Sequence, residues 1–292
     1  MKEKDIIRRE YYQGPVGTSP FIYAGYACNN NCKFCFEKDQ KFSEKPTKDL
    51  KKEIKIIRKK FPFINFMGKE PTLRKDIVDL IKYSSKLKFD QIGITTNGRM
   101  FFYPDFAKRI LQSGLDQVVI TVAGHTEKLH EFHTQAKGSF AQTLGGIKNI
   151  IRYKSPEQSL VLNVMITKEN VSTIEKMIEF YYKIGAREIN IGHILPFNKE
   201  IANAKDFIAQ MKTVVPNLIS VAEKYGEKIK FLFVEYPPCV FPEKYRHLSF
   251  PCLEESPQKK YFALCQKCPY KNKCKGVHEF YINLYGTAEF KL

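Results

Sequence analysis

The sequence predicts an α/β fold of repeated strand–helix units around a parallel sheet, followed by a small cysteine-rich C-terminal extension. Three observations predict it. From about residue 20 to 196, short β-branched runs alternate with amphipathic stretches, the pattern of parallel βα units. From Glu235 onward proline, cysteine and aromatic residues dominate and the periodicity stops. A chain of 292 residues has room for roughly two domains at about 150 residues each. The expected division is a core over 1–234 and an extension over 235–292.

Six strands are expected in the core: Phe21–Ala27, Ile64–Met67, Gln91–Thr95, Gln117–Val122, Leu160–Ile166 and Glu188–Ile194. Between them, helices are expected near Thr47–Lys60, Lys75–Leu87, Pro104–Ser113, Phe140–Tyr153 and Val171–Ile184, where apolar residues such as Ile77, Leu80 and Ile81 recur at helical steps. Thr47 and Asn170 stand at N-cap positions, and Gly114 and Gly185 where a helix ends before the next strand. A further helix near Ala204–Tyr225 leads into a last strand-like run, Lys228–Val234. Periodicity by itself is equally consistent with an open doubly wound sheet and with a barrel.

Forty-three per cent of the residues are hydrophobic, which fits a folded globular chain. No window approaches the roughly 18 apolar residues of a membrane span. Met1–Arg9 is charged and lacks a signal-peptide core, so the chain reads as cytoplasmic with no membrane partner. Forty-eight basic against 31 acidic residues give a net charge of +17, which suits RNA or another anionic partner. It also suits plain solvated helix faces, as at Arg58-Lys59-Lys60.

Most of the eight cysteines fall in two tight clusters, a usage that points to metal rather than disulfides. The first is Cys28-Asn-Asn-Asn-Cys32-Lys-Phe-Cys35, on the loop after the first strand, at the carboxyl edge where βα folds build their sites. Thiolates suit zinc or iron–sulfur clusters. Three cysteines could hold a cubane with one iron left open, a zinc ion completed by a distant ligand, or a redox pair made of Cys32 and Cys35.

Phe66-Met67-Gly68-Lys69-Glu70-Pro71 ends the second strand and Thr95-Thr96-Asn97-Gly98 the third. With the CxxxCxxC run and its aromatic Phe34, these segments resemble the radical S-adenosylmethionine (SAM) superfamily, whose members carry Gly-Gly-Glu-Pro and Thr-Asn-Gly segments there. The resemblance extends over about residues 20 to 196, through Val119–His125 and Gly192–Pro196. It implies a partial (β/α)6 TIM-type barrel in which Cys28, Cys32 and Cys35 hold a [4Fe–4S] cluster with an open iron site. It implies that Gly68, Glu70, Thr96, Asn97 and Asn163 line the SAM pocket, with Glu70 receiving the methionine ammonium. The implied activity is reductive cleavage of SAM to a 5′-deoxyadenosyl radical that abstracts hydrogen from a substrate, with an electron donor such as a ferredoxin or flavodoxin. Lys69 departs from the motif's second glycine, and its side chain is expected to point away from the ligand. His125, His130 and His133 read as loop residues for capping or solvent contact rather than as catalytic groups.

In the extension, Cys265-x-x-Cys268-x5-Cys274 resembles the auxiliary-cluster tail of the SPASM and twitch branches of that superfamily. His278 stands where a further cysteine is expected, so the resemblance implies one auxiliary [4Fe–4S] cluster. Its ligands would be Cys265, Cys268, Cys274 and either Cys239 or Cys252, with Cys239 favoured in its Pro-Pro-Cys turn. Lysines 267, 271, 273 and 275 would raise its potential. A zinc knuckle on the same thiols is the structural alternative. Tyr261, Phe262, Phe280, Tyr281 and Tyr285 are expected to pack the tail. A peptide or protein is the favoured substrate class, although the roughly 20 residues before the first strand leave no room for a leader-binding domain. RNA or a nucleotide is the second reading, and a non-enzymatic iron–sulfur carrier or metal-stapled binding module the third.

Overall fold

The computed structural model describes residues 20–35, 37, 43–194, 204–250, 259–272 and 274–291. Among the predicted features, Cys252, Leu195, Pro196 and Lys273 lie outside the described residues. The chain divides into two compact units, 1–162 and 163–292.

In the first unit, parallel strands β1 (Phe21–Gly25), β2 (Phe63–Gly68), β3 (Gln91–Thr96) and β4 (Gln117–Val122) lie side by side, with Phe21 opposite Asn65, Phe63 opposite Gln91 and Gly93 opposite Gln117. Alternate residues such as Ile64, Phe66, Val118 and Ile120 are buried, as strands with two unlike faces require. Helices α1 (Thr47–Lys60), α2 (Ile77–Lys86), α3 (Pro104–Leu111), α4 (Glu127–Thr134) and α5 (Ser139–Tyr153) connect or follow them. In α1 the buried stripe is Leu50, Ile54 and Ile57, each worth about 1.5–3 kcal/mol of transfer free energy. Thr47 is the first helical residue and not the cap: Pro46 takes that place, and the Thr47 hydroxyl donates to Asp76 Oδ2 at 2.5 Å. Arg74, buried, donates to the Lys45 carbonyl at 2.9 Å and to Glu44 at 3.0 Å, which ties the chain entering α1 to the segment that precedes α2.

The next strand, β5 (Ser159–Ile166), runs across the boundary between the units. The second unit holds β6 (Glu188–His193), β7 (Lys230–Val234) and β8 (Ser249–Phe250), parallel in that order, with α6 (Ile174–Lys183), α7 (Ala204–Phe207), α8 (Met211–Tyr225) and α9 (Glu279–Tyr285). Strand order in the eight-stranded sheet follows the chain from β1 to β8. The six expected strands are joined by β7, which falls within the expected last strand-like run Lys228–Val234, and by β8, which was not expected. Since β8 pairs with β7 beyond residue 235, the sheet continues into what the sequence marks as extension. Asn170 does not cap α6. Its side chain turns back, accepting from Thr167 N at 2.8 Å and donating to the Met165 carbonyl at 2.8 Å, a local bond that competes with helix initiation.

The tail docks on α8 through its aromatics. Tyr281 accepts from Met211 N at 2.7 Å and donates to Glu289 Oε1 at 2.6 Å, while Glu289 Oε2 accepts from Lys212 N at 2.7 Å. Two open N–H groups of the α8 N-terminus are thereby satisfied. Tyr285 donates to the Ile208 carbonyl at 2.7 Å, and the buried His193 ring lies edge-on to Tyr236 and Tyr281. Tyr261 departs from the packing expectation: it is 48% exposed and donates to the Cys274 carbonyl. His278 pairs with Lys259 where β10 (Val277–His278) meets β9 (Lys259–Lys260), and its Nδ1 accepts from Phe280 N at the start of α9. Among the described residues, no helix is long and apolar enough to cross a membrane.

Candidate active site

The first cysteine loop leaves β1 and is gripped from two sides. On one side are the last carbonyls of α4: Asn31 N donates to Thr134 O and Lys33 N to His133 O, both at 2.9 Å. On the other is the turn after β3, where Arg99 donates through Nη1 to the Asn29 carbonyl and, at 2.8 Å, to Asn30 Oδ1. Gln142 on α5 fixes Arg99 by accepting from its Nε at 2.6 Å. Asn97 Nδ2 donates to Asn29 Oδ1 at 2.7 Å and reaches Cys28 Sγ at 3.8 Å. The Asn30 N–H also points at Cys28 Sγ, at 3.4 Å.

Of the expected SAM-pocket residues, Glu70, Thr96 and Asn97 form a tight frame. The Glu70 carboxylate is fully buried. Its Oε1 accepts from Thr72 N at 3.0 Å, Thr72 Oγ1 at 2.5 Å and Thr96 Oγ1 at 2.7 Å, and its Oε2 accepts from Asn97 N at 2.7 Å. Burial raises its pKa and these four hydrogen bonds oppose the rise. The acceptor expected for an ammonium is thus engaged by the protein, and Thr96, also buried, shares that engagement. Gly68 is required by the chain itself: its φ is +124°, and a Cβ there would strike the Gly25 carbonyl where β1 passes β2. Lys69 N donates to that carbonyl at 3.1 Å. Burial pushes the pKa of the Glu37 carboxyl up to about 7, and the Lys69 charge pulls it back down. Asn163, in the second unit, accepts from Asn190 Nδ2 at 2.9 Å.

The histidines differ from the sequence expectation. His125 precedes α4, while His130 and His133 are buried within that helix. His133 Nδ1 donates to the Leu129 carbonyl at 2.7 Å, and its ring meets Phe34 of the cysteine loop with centroids 6.3 Å apart. Sequence reasoning missed α4 and Arg99. The signal for α4 was Thr126 followed by Glu127, a cap and a first-turn acid; Thr126 Oγ1 does accept from Leu129 N.

Within each set of cysteines the thiols act on one another electrostatically. Burial and then the neighbouring Cys28 and Cys35 push the Cys32 thiol up to about 12. Three such thiols can ionise together only beside a compensating cationic centre, which iron supplies. In the second unit, burial first and then Cys274, Cys268 and Cys265 push Cys239 up to about 12. Burial, and next among the raising influences Cys265 and Cys268, push Cys274 to about 11. Among the described residues, no three His, Cys, Asp or Glu side chains are set to hold one metal ion.

Comparison with known proteins agrees with this geometry. The chain is 28% identical over 179 residues to a probable GTP 3′,8-cyclase of Saccharolobus solfataricus, 59% of this chain and 55% of that protein. It is 33% identical over 107 residues to the 7,8-dihydro-6-hydroxymethylpterin dimethyltransferase of Methanocaldococcus jannaschii, 35% of this chain and 21% of that protein. It spans about half the length of the probable cyclases it matches. Among solved structures, Streptococcus suis SuiB bound to S-adenosylmethionine superposes with a TM-score of 0.65 at 15% identity, covering 92% of this chain and 75% of that one. The protein anSMEcpe with bound AdoMet and Kp18Cys peptide gives 0.63 at 12%, covering 92% and 96%. These likenesses share the fold of a partial barrel. The radical SAM superfamily profile matches residues 22–181, more than half of the 292. That span holds the CxxxCxxC loop, the buried Glu70 frame and the Asn97 turn, and it sets aside the electron-carrier reading: the chain is an enzyme of the radical SAM superfamily.

Proposed function

We propose that this enzyme abstracts a hydrogen atom from a peptide or protein substrate, and that Cys239, Cys265, Cys268 and Cys274 hold a second [4Fe–4S] cluster as a closed four-thiolate set. The observation that carries the reading is the grouping of Cys239 with the other three thiols, each of which acts on it electrostatically. A cluster with four cysteine ligands has no vacant iron for a small substrate, so the tail would serve electron transfer.

When bound at Cys28, Cys32 and Cys35, an open-sited cluster and SAM supply one-electron cleavage of the sulfonium and a hydrogen-abstracting species. The chain's own part is to hold the loop rigid through Arg99, Asn97 and the α4 carbonyls, and to keep Cys28 hydrogen-bonded. Two of the solved structures support a peptide substrate, since anSMEcpe, matched over 92% of this chain, is seen with a peptide, and SuiB, matched over 73% of it, with its precursor peptide SuiA. The excess of basic residues would favour an acidic electron donor such as a flavodoxin or ferredoxin.

A second reading is a nucleotide or RNA substrate, favoured by the probable GTP 3′,8-cyclases among the relatives. Anaerobic turnover with SAM, reductant and either a perdeuterated peptide pool or deuterated GTP separates the two. Deuterium entering 5′-deoxyadenosine from the peptides alone supports the first reading, and deuterium from GTP alone overturns it.

A further inference from the structure

Strands β1 to β4 contain no Lys, Arg, Asp or Glu, so the basic excess of the chain lies elsewhere. Ile64, Phe66, Ile92 and Ile94 are buried on the face that the helices cover, and strand alternation sets Asn65, Gly93 and Thr95 on the other. That face is the inner wall of the partial barrel. Thr95 stands at its carboxyl rim, where βα folds build their sites, and directly precedes Thr96 of the Glu70 frame.

On this wall the Asn65 carboxamide leans across to the neighbouring strand. Its Nδ2 donates to Thr95 Oγ1 at 3.0 Å. Its Oδ1 takes the space above Gly93, the residue directly opposite, where a Cβ would come within 2.6 Å of it. Among the described residues, the bond to Thr95 is the one hydrogen bond of either side chain. The pair therefore keeps the amide oxygen, one amide N–H and the Thr95 O–H for a ligand. Both residues are half-buried. Met67, two residues beyond Asn65, and Val119, opposite Thr95, border them with apolar surface, the usual make-up of a small-ligand site.

A neutral donor and a neutral acceptor side by side match a secondary amide, which offers one of each. A phosphate-bearing substrate would meet no cation on these strands. We infer that Asn65 and Thr95, seated over Gly93, bind a backbone amide of the substrate, an inference that rests on the reading of that substrate as a peptide or protein.

The test follows deuterium into 5′-deoxyadenosine from a perdeuterated peptide pool and from the same pool N-methylated along its backbone. It uses the anaerobically reconstituted full chain with SAM and reductant. Wild type should need roughly tenfold more of the methylated pool for half-maximal transfer, since a site built for a hydrogen bond rejects a ligand that lacks it. Asn65→Leu should need roughly tenfold more of the unmodified pool than wild type and no longer distinguish the two, with SAM affinity in equilibrium dialysis unchanged. Thr95→Val, which removes only a donor, should weaken both pools and keep the distinction. A wild type indifferent to methylation, an Asn65→Leu variant that takes the unmodified pool as wild type does, or an equal loss of SAM affinity would overturn the inference. No deuterium from peptides in a wild type that binds SAM would overturn the peptide reading on which it rests.

Discussion

The backbone N–H of Asn97 donates to Oε2 of Glu70 at 2.7 Å, and through that bond the turn after β3 is locked to the turn after β2. The Asn97 side chain continues outward to Asn29 at 2.7 Å. A buried carboxylate is thereby linked, through one residue, to the loop that carries Cys28.

Replacing Glu70 tests this frame. Alanine leaves the N–H groups of Thr72 and Asn97 buried without an acceptor, at about 1–3 kcal/mol for each. Glutamine keeps the shape but sets an amide N–H against one donor. Thermal midpoints should fall for Glu70→Gln and further for Glu70→Ala, and an Ala variant as stable as wild type would show the frame to be idle.

Arg99 should govern how firmly the first cluster is held. Its guanidinium serves Asn29, Asn30 and Gln142 at once, a fork that lysine does not reproduce. With a chelator present, Arg99→Met is expected to lose iron from the first site several-fold faster than wild type, with Arg99→Lys in between. Equal rates would mean that α4 alone secures the loop.

The tail assignment separates two cysteines. Iron per chain after reconstitution should fall from about eight to about four in Cys239→Ala and stay near eight in Cys252→Ala, as two cubanes with four and three thiolates require. The reverse pattern would move the fourth ligand to Cys252. Zinc in the tail of both would make it a structural staple.

Acid should weaken both units. Burial, with smaller effects from His133 and Arg99, lowers His130 to about 4, and burial lowers His193 to about 4 against its carbonyl bonds. Unfolded histidine titrates near 6.5, so between those values the unfolded chain binds more protons and stability falls as pH drops. Each histidine contributes up to about 3 kcal/mol across that window, and about 2 of it is gone by about pH 5. His193→Gln should flatten the pH dependence of the thermal midpoint over that range, and an unchanged slope would show that His193 is not the titrating group.

The sequence made the strand–helix alternation legible because apolar periodicity is a local signal, and α1 falls at its expected residues. Helix α4 was hidden by its content: three histidines in and beside a short, partly polar segment suggest a loop, and only the structure shows its carbonyls seizing the cysteine loop. Strand β8, two residues long, is too short for any period to register. The motif residues marked the right place, but not their hydrogen-bond balance. Whether Glu70 is open or enclosed depends on Thr72 and on Thr96 and Asn97, the latter pair brought in from a separate strand end.

The most direct test of the whole account is formation of 5′-deoxyadenosine by the anaerobically reconstituted chain with SAM and a strong reductant. The account predicts production by wild type and none by Cys32→Ala, which removes a ligand of the open-sited cluster. No product from an iron-loaded wild type, or equal product from both proteins, would contradict it.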